Sequence, residues 1–370
     1  MIPERAKRPL RVVWDASLAY GNQTGDSTYW TMLLESIQTL ADAPVEGVAI
    51  SPFPAPAEWR DTDAVRWMTV PTRSRTWWSL VQFPMAAQRL RADVVHLQYN
   101  ASPLLRQPFV TTIHDISFVI GPEWFRPRDR WLLQTRIPRT IARARRVITV
   151  SETSRGEIES TYPAAVGKTE VTPNACPRWI QPVPPQAARA RATELLGTDA
   201  PYALTVGTRW PRKNMALAID AVEWLPPEVP LRLAVTGKAG WGDQSVPSRG
   251  IATGYVSNED LSALYSAADV YLAPSRHEGF GIPVLEAMRC GCPVLASRGG
   301  ALPEVVGDAG LVVDSWEASA WTQQLRRLRE SPGMMAEMRA RGRERERQYD
   351  WVTTARRTLA VYHAIDREAR

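Results

Sequence analysis

Two glutamates lie on either side of a short glycine-containing turn in the segment HEGFGIPVLEAM. Glu278 precedes the turn, and Glu286 follows eight positions later. Gly279 and Gly281 allow backbone amides to turn and approach a ligand, and Pro283 suits the first position of a helix. A helix N-terminus carries free N–H groups and a positive dipole end, which attract anions. The segment therefore predicts a phosphate site with two carboxylates that suit sugar hydroxyls.

Glu286 also has a plainer interpretation. An acid in the first turn of a helix stabilises the helix dipole by about 0.3–1 kcal/mol without binding any ligand. Glu278 precedes the predicted helix, so this effect does not account for it.

A second group of charged residues follows the apolar run Tyr202 to Val206. Arg209, Arg212 and Lys213 lie where the carboxyl end of a predicted strand leads into a helix. Two cations at such a point suit a diphosphate. Because the chain has only four lysines, a lysine in this loop favours a binding role over a solvated surface position. Arg209 and Arg212 are alternatives for the second diphosphate contact. Arg209 is favoured because it is nearer the strand end, and Arg212 is expected to point to solvent beside Pro211.

An imidazole and a carboxylate end another apolar run, Phe109 to Ile113. A single histidine at a strand end is more often structural than catalytic, yet this position places His114, with Asp115, at the predicted crevice. Gly25, in the loop after the first predicted strand, is a weaker candidate for contact with phosphate or acceptor. Its neighbour Asp26 also suits simple helix capping.

Short β-branched runs alternate with helical periodicity along the chain. The predicted strands cover residues 10–16, 45–50, 65–70, 94–97, 109–113 and 147–150, then 202–206, 231–236, 270–273, 294–296 and 311–313. The predicted helices cover 79–91, 130–144, 152–161, 214–224, 258–267, 316–349 and 351–365. This alternation predicts an α/β fold with two parallel sheets covered on both faces, separated by the proline-rich segment 173–185. In such sheets ligands bind beyond the carboxyl ends of the strands, where the candidate loops lie.

The composition sets limits on the class of protein. At 370 residues, 44% hydrophobic and 23% charged, the chain fits a soluble protein of two domains. The net charge of +6 permits phosphorylated ligands, anionic lipid or nucleic acid. No zinc-site spacing, RNP-like aromatic string or helix-turn-helix signal is present, so we expect no nucleic-acid partner. No stretch approaches the ~20 apolar residues of a membrane span, and an odd set of three cysteines fits a reducing compartment, so the expected location is cytoplasmic.

The string around Glu278 closely resembles the Glu-x7-Glu signature of the family 4 retaining glycosyltransferases, which have the GT-B fold. The Glu-Gly-Phe-Gly core, the second glutamate and the following Gly-Cys-Pro-Val-Leu-Ala-Ser strand match together. The loop that ends Pro-Arg-Lys-Asn resembles the family's Gly-Arg…Lys diphosphate loop, with Thr208 where arginine is commoner. His114 and Asp115 match the motif of the N-terminal domain, and Thr253-Gly254-Tyr255-Val256 resembles the segment that meets the nucleotide base.

This resemblance implies two Rossmann-like domains facing each other across a cleft. Residues 1–180 would form the acceptor-side domain, residues 181–350 the nucleotide-sugar domain, and residues 351–370 a helix returning to the first domain. The implied catalytic residues are His114, Glu278 and Lys213, with Gly25 and Asp115 on the acceptor or phosphate side. The implied donor-binding residues are Arg209, Arg212, Lys213, Tyr255, Val256, Glu278, Gly279, Phe280, Gly281, Ile282 and Glu286. No metal or other cofactor is implied.

The implied activity is a retaining, metal-independent hexosyl transfer from GDP-mannose or a UDP-sugar. The acceptor would be a glycan, a lipid-linked molecule or a small molecule, in polysaccharide, glycolipid or other glycoconjugate synthesis. Two alternatives stay open, namely a catalytically silent nucleotide-sugar-binding subunit and another GT-B enzyme such as an epimerase. Arginines around Trp124 and Trp131 also suggest peripheral contact with the inner face of the membrane, against the alternative of a solvated helix face.

Overall fold

The computed structural model of the chain describes residues 8–21, 24–40, 45–241 and 248–368. In these ranges the chain forms two separate sheets in which every strand pair is parallel. The expected α/β architecture with two parallel sheets is therefore confirmed.

Seven described strands form the first sheet, in the spatial order β3-β2-β1-β4-β5-β6-β7. They are β1 (Leu10–Asp15), β2 (Val45–Ser51), β3 (Val65–Thr69), β4 (Val94–Gln98), β5 (Phe109–Thr112), β6 (Arg146–Thr149) and β7 (Thr169–Val171). The helices of this half are α1 (Gly25–Gln38), α2 (Arg75–Trp77), α3 (Phe83–Arg89), α4 (Ser117–Ile120), α5 (Pro127–Arg143) and α6 (Glu152–Thr161). Apolar side chains on the central strands are almost wholly buried, because helices cover both faces of a parallel sheet.

The second sheet has six described strands, in the order β10-β9-β8-β11-β12-β13. They are β8 (Tyr202–Val206), β9 (Arg232–Thr236), β10 (Gly250–Gly254), β11 (Val270–Ala273), β12 (Val294–Ser297) and β13 (Leu311–Val313). The helices are α7 (Pro185–Leu196), α8 (Met215–Glu223), α9 (Asn258–Ala267), α10 (Ile282–Arg289), α11 (Leu302–Val306), α12 (Ala318–Glu330), α13 (Pro332–Glu346) and α14 (Trp351–Glu368).

Two predicted helices differ from the structure. The single helix expected over 316–349 is two helices, α12 and α13, because Pro332 cannot continue α12 but suits the start of α13. The helix expected over 79–91 consists of the short α2, a π-helical segment at Trp78–Gln82, and α3. Neither change alters the order of the strands.

Helix α5 carries the arginines that suggested membrane contact. Ile137 and Ile141 are fully buried in the core of the first domain, so part of its apolar face docks the helix on the sheet. Trp131 keeps 63% of its surface exposed. Membrane contact stays a prediction carried by the exposed part of this helix. None of the helices in the described part of the chain has the length and apolar composition needed to span a bilayer.

The last helix, α14, packs on α1 and on strands of the first sheet. Trp14 of β1 donates its indole N–H to the Tyr362 hydroxyl at 2.9 Å, and His96 Nδ1 lies 2.6 Å from the same hydroxyl. His96 Nε2 lies 2.7 Å from the Thr112 hydroxyl. Burial lowers the pKa of His96 to about 3, so the ring is neutral at pH 7. The Tyr362 hydroxyl thus satisfies two buried polar groups of the first domain.

We predict that Tyr362→Phe lowers the free energy of unfolding by about 1–3 kcal/mol, because the variant leaves the buried indole N–H of Trp14 unpaired. Urea unfolding of the variant and of the wild type measures the change. Tyr162→Phe, at a half-buried tyrosine outside this cluster, is the control and should change stability little. Equal stability of the wild type and Tyr362→Phe would show that α14 is held by its apolar contacts alone.

Candidate active site

Two charged loops of the second domain lie next to each other because the strands that precede them are neighbours in the sheet. Strands β8 and β11 are neighbours, and the order of strands reverses between them. At such a switch point the loops after the two strands diverge and leave a crevice for a ligand. The loop after β8 carries Arg212 and Lys213, and the loop after β11 carries Glu278.

Glu278 is paired with both cations. Its carboxylate accepts from Lys213 Nζ at 2.6 Å and from Arg212 Nη1 at 2.9 Å. Ser275 donates its hydroxyl to the same carboxylate. Burial by itself raises the pKa of Glu278, but the Arg212 and Lys213 charges outweigh burial and hold that pKa well below its usual range. Glu278 is therefore ionised at neutral pH, and the cluster carries a net charge of about plus one.

The expectation that Arg212 points to solvent is wrong. Its side chain is only 14% exposed, and its guanidinium also donates to the His277 carbonyl. The reason is local, because Pro211–Lys213 form a single 3₁₀ turn and Asn214 then adopts a left-handed conformation with φ 50°. This turn directs both Arg212 and Lys213 towards the β11 loop. Arg209 lies earlier in the loop and does not take part in the Glu278 ion pairs.

Glu286 lies in the second turn of α10 rather than in the first. The helix begins at Ile282 after Gly281, whose φ of 99° is strained for any other residue. Tyr265 donates its hydroxyl to Glu286 at 2.8 Å. Burial raises the pKa of Glu286 to about 7, with the Tyr265 hydrogen bond acting in the opposite direction. Dipole capping in the first turn therefore does not explain this residue.

Packing contacts hold the residues that follow Glu278 in place. Gly279 lies against the first domain, because a Cβ there would be 2.3 Å from the His114 carbonyl oxygen. Phe280 is buried and packs edge-on against Tyr349 at 5.5 Å between ring centroids. Ile282, the first residue of α10, is buried in the core of the second domain. These apolar contacts fix the turn from which α10 begins.

The first domain contributes His114, which follows β5. Its ring packs against Tyr29 and Tyr99, with 4.9 and 5.8 Å between ring centroids. Nε2 has no hydrogen-bond partner within the described residues, and it lies 3.7 Å from Asp26 Oδ1. Burial lowers the pKa of His114, while the charges of Asp26 and Asp115 oppose that effect. The neutral ring therefore presents Nε2 as a nitrogen without a hydrogen-bond partner among the described residues.

Asp26 was not among the candidates from the sequence, where it was interpreted as a helix cap. The cap of α1 is Thr24, whose side chain accepts from the Ser27 amide. Asp26 instead lies beside His114. The local sequence signal that could have identified Asp26 was its position directly after the candidate Gly25. Gly25 is the first residue of α1, with open space where a Cβ would stand.

The other predicted residues take no part in the ion pairs of Glu278 with Arg212 and Lys213. Asp115 lies two residues before α4 and accepts from the Ser117 amide at 2.9 Å and from the Ser117 hydroxyl at 2.6 Å. Burial by itself raises the pKa of Asp115, but the Arg212 charge, His277 and the Ser117 hydrogen bonds together outweigh burial and lower that pKa. Tyr255 and Val256 follow β10, two strands away from β8, and the half-exposed Tyr255 ring has the Lys238 ammonium 5.3 Å from its centroid.

Comparison with known proteins gives this geometry a family. Residues 187–345 match the model described as glycosyl transferases group 1, and residues 31–177 match the model described as glycosyltransferase family 4. The chain is 35% identical over 268 residues to O-antigen chain mannosyltransferase B of Escherichia coli, covering 69% of this chain and 70% of that protein. This chain belongs to glycosyltransferase family 4. It is also 29% identical over 316 residues to an MMP alpha-(1->4)-mannosyltransferase of Mycolicibacterium hassiacum, covering 77% of this chain and 74% of the relative.

Solved structures agree on the fold of this glycosyltransferase. Sucrose-phosphate synthase from Thermosynechococcus elongatus superposes with a TM-score of 0.75 at 20% identity, covering 98% of this chain and all of that one. Anabaena HepE in complex with UDP and glucose superposes with a TM-score of 0.73 at 18% identity, covering 96% of this chain and all of HepE. The fold is GT-B, and the expectations for family, fold and glycosyl transfer are confirmed.

We predict that the Glu286 carboxyl of this glycosyltransferase titrates near pH 7 and that Tyr265→Phe raises its pKa further, because the tyrosine hydroxyl stabilises the ionised form. Carbon-13 NMR of protein labelled at glutamate carboxyls measures the titration, and comparison with Glu286→Gln assigns the signal. Glu278→Gln is the matched control and should leave this titration in place. A midpoint near 4.5 would show that water reaches the carboxyl freely.

Proposed function

We propose that this enzyme transfers a hexose, with mannose favoured, from a nucleotide diphosphate sugar to an acceptor hydroxyl with retention of configuration and without a metal ion. The observation that carries the proposal is the cluster of Arg212, Lys213 and Glu278 beside the start of α10. The similarity to the two mannosyltransferases described above supports a mannosyl donor for this enzyme. UDP-sugars are the alternative donors.

The cluster suits a diphosphate because it holds two cations and one anion. A donor diphosphate brings its negative charges to Arg212 and Lys213, with which the Glu278 carboxylate is paired in the free protein. Glu278 then shares these cations and accepts hydrogen bonds from hydroxyls of the transferred sugar. Glu286 is proposed to accept from the ribose hydroxyls, which favours its ionised form, so donor binding should release a proton near pH 7.

Departure of the nucleotide diphosphate increases the negative charge on its terminal phosphate. Fixed cations in a partly dry cleft stabilise such charge, and losing one such partner costs about 2.7–4 kcal/mol in other enzymes. Two protein cations can therefore take the role that a divalent ion has in other transferases. The helix N-terminus of α10 adds its dipole to the same end of the site.

Retention follows if the acceptor oxygen attacks the sugar on the face from which the phosphate leaves. The bond from the anomeric carbon to the phosphate oxygen breaks, and the bond to the acceptor oxygen forms on the same face. The acceptor proton passes to the departing phosphate oxygen, so no protein nucleophile is required. His114 is proposed to hold a hydroxyl of the sugar, which is supported by its neutral ring and by an Nε2 without a hydrogen-bond partner among the described residues, and Asp26, 3.7 Å from that atom, is proposed to face the acceptor.

The proposal is tested by calorimetry with a panel of GDP-mannose and UDP-sugars, followed by NMR of the product formed from the donor that binds. We expect one donor to bind tightly, the product to keep the α configuration of the donor sugar, and dialysis against EDTA to leave activity unchanged. An inverted product would overturn the retaining mechanism. Activity that returns only when Mn²⁺ or Mg²⁺ is added would overturn the metal-free diphosphate site.

We predict that substitutions of Glu278 and Glu286 affect different properties of the enzyme, namely sugar transfer and nucleotide binding. Glu278→Gln should bind free nucleotide diphosphate at least as tightly as the wild type, because no carboxylate competes for Arg212 and Lys213, yet lose transfer by about a hundredfold or more. Glu286→Ala should weaken nucleotide binding itself. Titration calorimetry and steady-state kinetics separate the two effects, with Glu344→Gln on the exposed face of α13 as the control. Equal loss of nucleotide affinity in both variants would contradict these separate roles.

A further inference from the structure

The first turn of α6, in the first domain, is contacted by a carboxylate of the second domain. Glu304 accepts from the backbone amides of Glu152 and Thr153, each at 2.9 Å. It also accepts from the Thr153 hydroxyl at 2.8 Å. The free amides at a helix N-terminus are usually capped from within the same segment of chain. Here Glu304 of α11 supplies part of that cap from the opposite side of the cleft.

The same turn of α6 also holds the backbone of the residue that follows Glu278. Ser151 donates its hydroxyl to the Gly279 carbonyl at 2.8 Å, and Ser154 donates to the same oxygen at 3.2 Å. Both serine side chains are fully buried. The close approach of Gly279 to the His114 carbonyl, where a Cβ would stand 2.3 Å away, leaves the loop little room to shift.

One turn further along α6, Glu157 contacts the residue that precedes Glu278. His277 Nε2 lies 3.0 and 3.1 Å from the two oxygens of the Glu157 carboxylate, and His277 is 3% exposed. Burial by itself lowers the pKa of His277, but the Glu157 and Asp115 carboxylates outweigh it and raise that pKa. Residues on both sides of Glu278 are therefore held by one helix of the other domain.

Glu304 is linked to Glu278 inside the second domain as well. The Ala301 amide donates to the Glu278 carbonyl at 2.9 Å, and α11 begins at the next residue. Gly300 approaches so closely that a Cβ there would be 2.3 Å from that carbonyl oxygen. A displacement of α11 would therefore be passed to the Glu278 backbone.

We infer that α6 of the first domain positions Glu278 for the donor sugar, with Glu304 as the positioning residue through which the second domain docks on it. The inference rests on the proposed role of Glu278 in sugar binding. The proposed contacts with the nucleotide diphosphate, at Arg212, Lys213 and Glu286, all lie within the second domain. Sugar recognition thus needs both domains to be in contact, whereas nucleotide binding does not.

The experiment compares Glu304→Ala and Glu304→Gln with the wild type and with Glu337→Gln, an exposed glutamate on α13. Glu304→Ala should lower kcat with the sugar donor by about ten- to a hundredfold, because small displacements of a positioned group cost this much. The affinity for free GDP or UDP should stay within about twofold. Glu304→Gln keeps an oxygen that accepts from one amide and should recover part of the rate. Thr153→Val, which removes the partner hydroxyl from the first domain, should lower kcat less and should not add fully to Glu304→Ala.

Hydrogen exchange of the free proteins gives a readout that does not depend on activity. Glu304→Ala should increase deuterium uptake in a peptide spanning 275–282 and leave the loop at 208–214 unchanged. Unchanged uptake at 275–282, or an unchanged kcat, would overturn the positioning role. A wild type that transfers from no donor, with uptake still raised in the variant, would overturn the proposed function and keep the contact between α6 and the Glu278 loop. Equal loss of free nucleotide affinity and kcat would show damage to the second domain and overturn the inference.

Discussion

The ion pairs of Glu278 with Arg212 and Lys213 are the interaction on which the rest of this structure depends. Three charged side chains, between 11 and 16% exposed, meet where the loops that follow two neighbouring strands diverge. Removing one partner of a buried ion pair typically costs about 3–5 kcal/mol, because the other charge is left uncompensated. The cluster is stable because every charge has a partner and because Ser275 adds a hydrogen bond. Its net positive charge also makes it receptive to an anion.

The sheet topology explains why this cluster forms at the cleft and not elsewhere. Lys213 and Glu278 are far apart in the chain, yet β8 and β11 lie side by side, so the loops that follow them share one edge. A carboxyl whose pKa lies well below its usual range and another raised to about 7 stand in the same segment. The difference comes from surroundings alone, because two cations beside Glu278 lower its pKa, whereas burial raises the pKa of Glu286 and the Tyr265 hydroxyl only partly opposes that rise. One group is permanently ionised, and the other can respond to a ligand.

Contact between the domains adds a second constraint to this arrangement. The loop that carries Glu278 accepts a hydrogen bond from the Ala301 amide, just before α11 of the same domain, and is hydrogen-bonded to Ser151 and Glu157 of the α6 segment in the first domain. Gly279 permits that approach, because any side chain there would collide with the His114 backbone. Part of the candidate site on the second domain therefore depends on contact with the first domain. Helix α14 is hydrogen-bonded to the first sheet as well. The Tyr362 hydroxyl accepts from Trp14 of β1 and lies within hydrogen-bond distance of His96 of β4.

The sequence by itself determined the parallel α/β sheets and the strand-loop-helix segments that carry Lys213, His114, Glu278 and Glu286. It could do so because hydrophobic periodicity, glycine and proline positions and charge at strand ends are local properties of the chain. The tertiary structure alone decided that Arg212 faces Glu278, that Asp26 stands beside His114, and that Glu304 caps a helix of the other domain. These pairings join residues distant in sequence, and they depend on side-chain direction and on which strands become neighbours. Spacing along the chain carries no information on either, which is why they became visible only in the folded molecule.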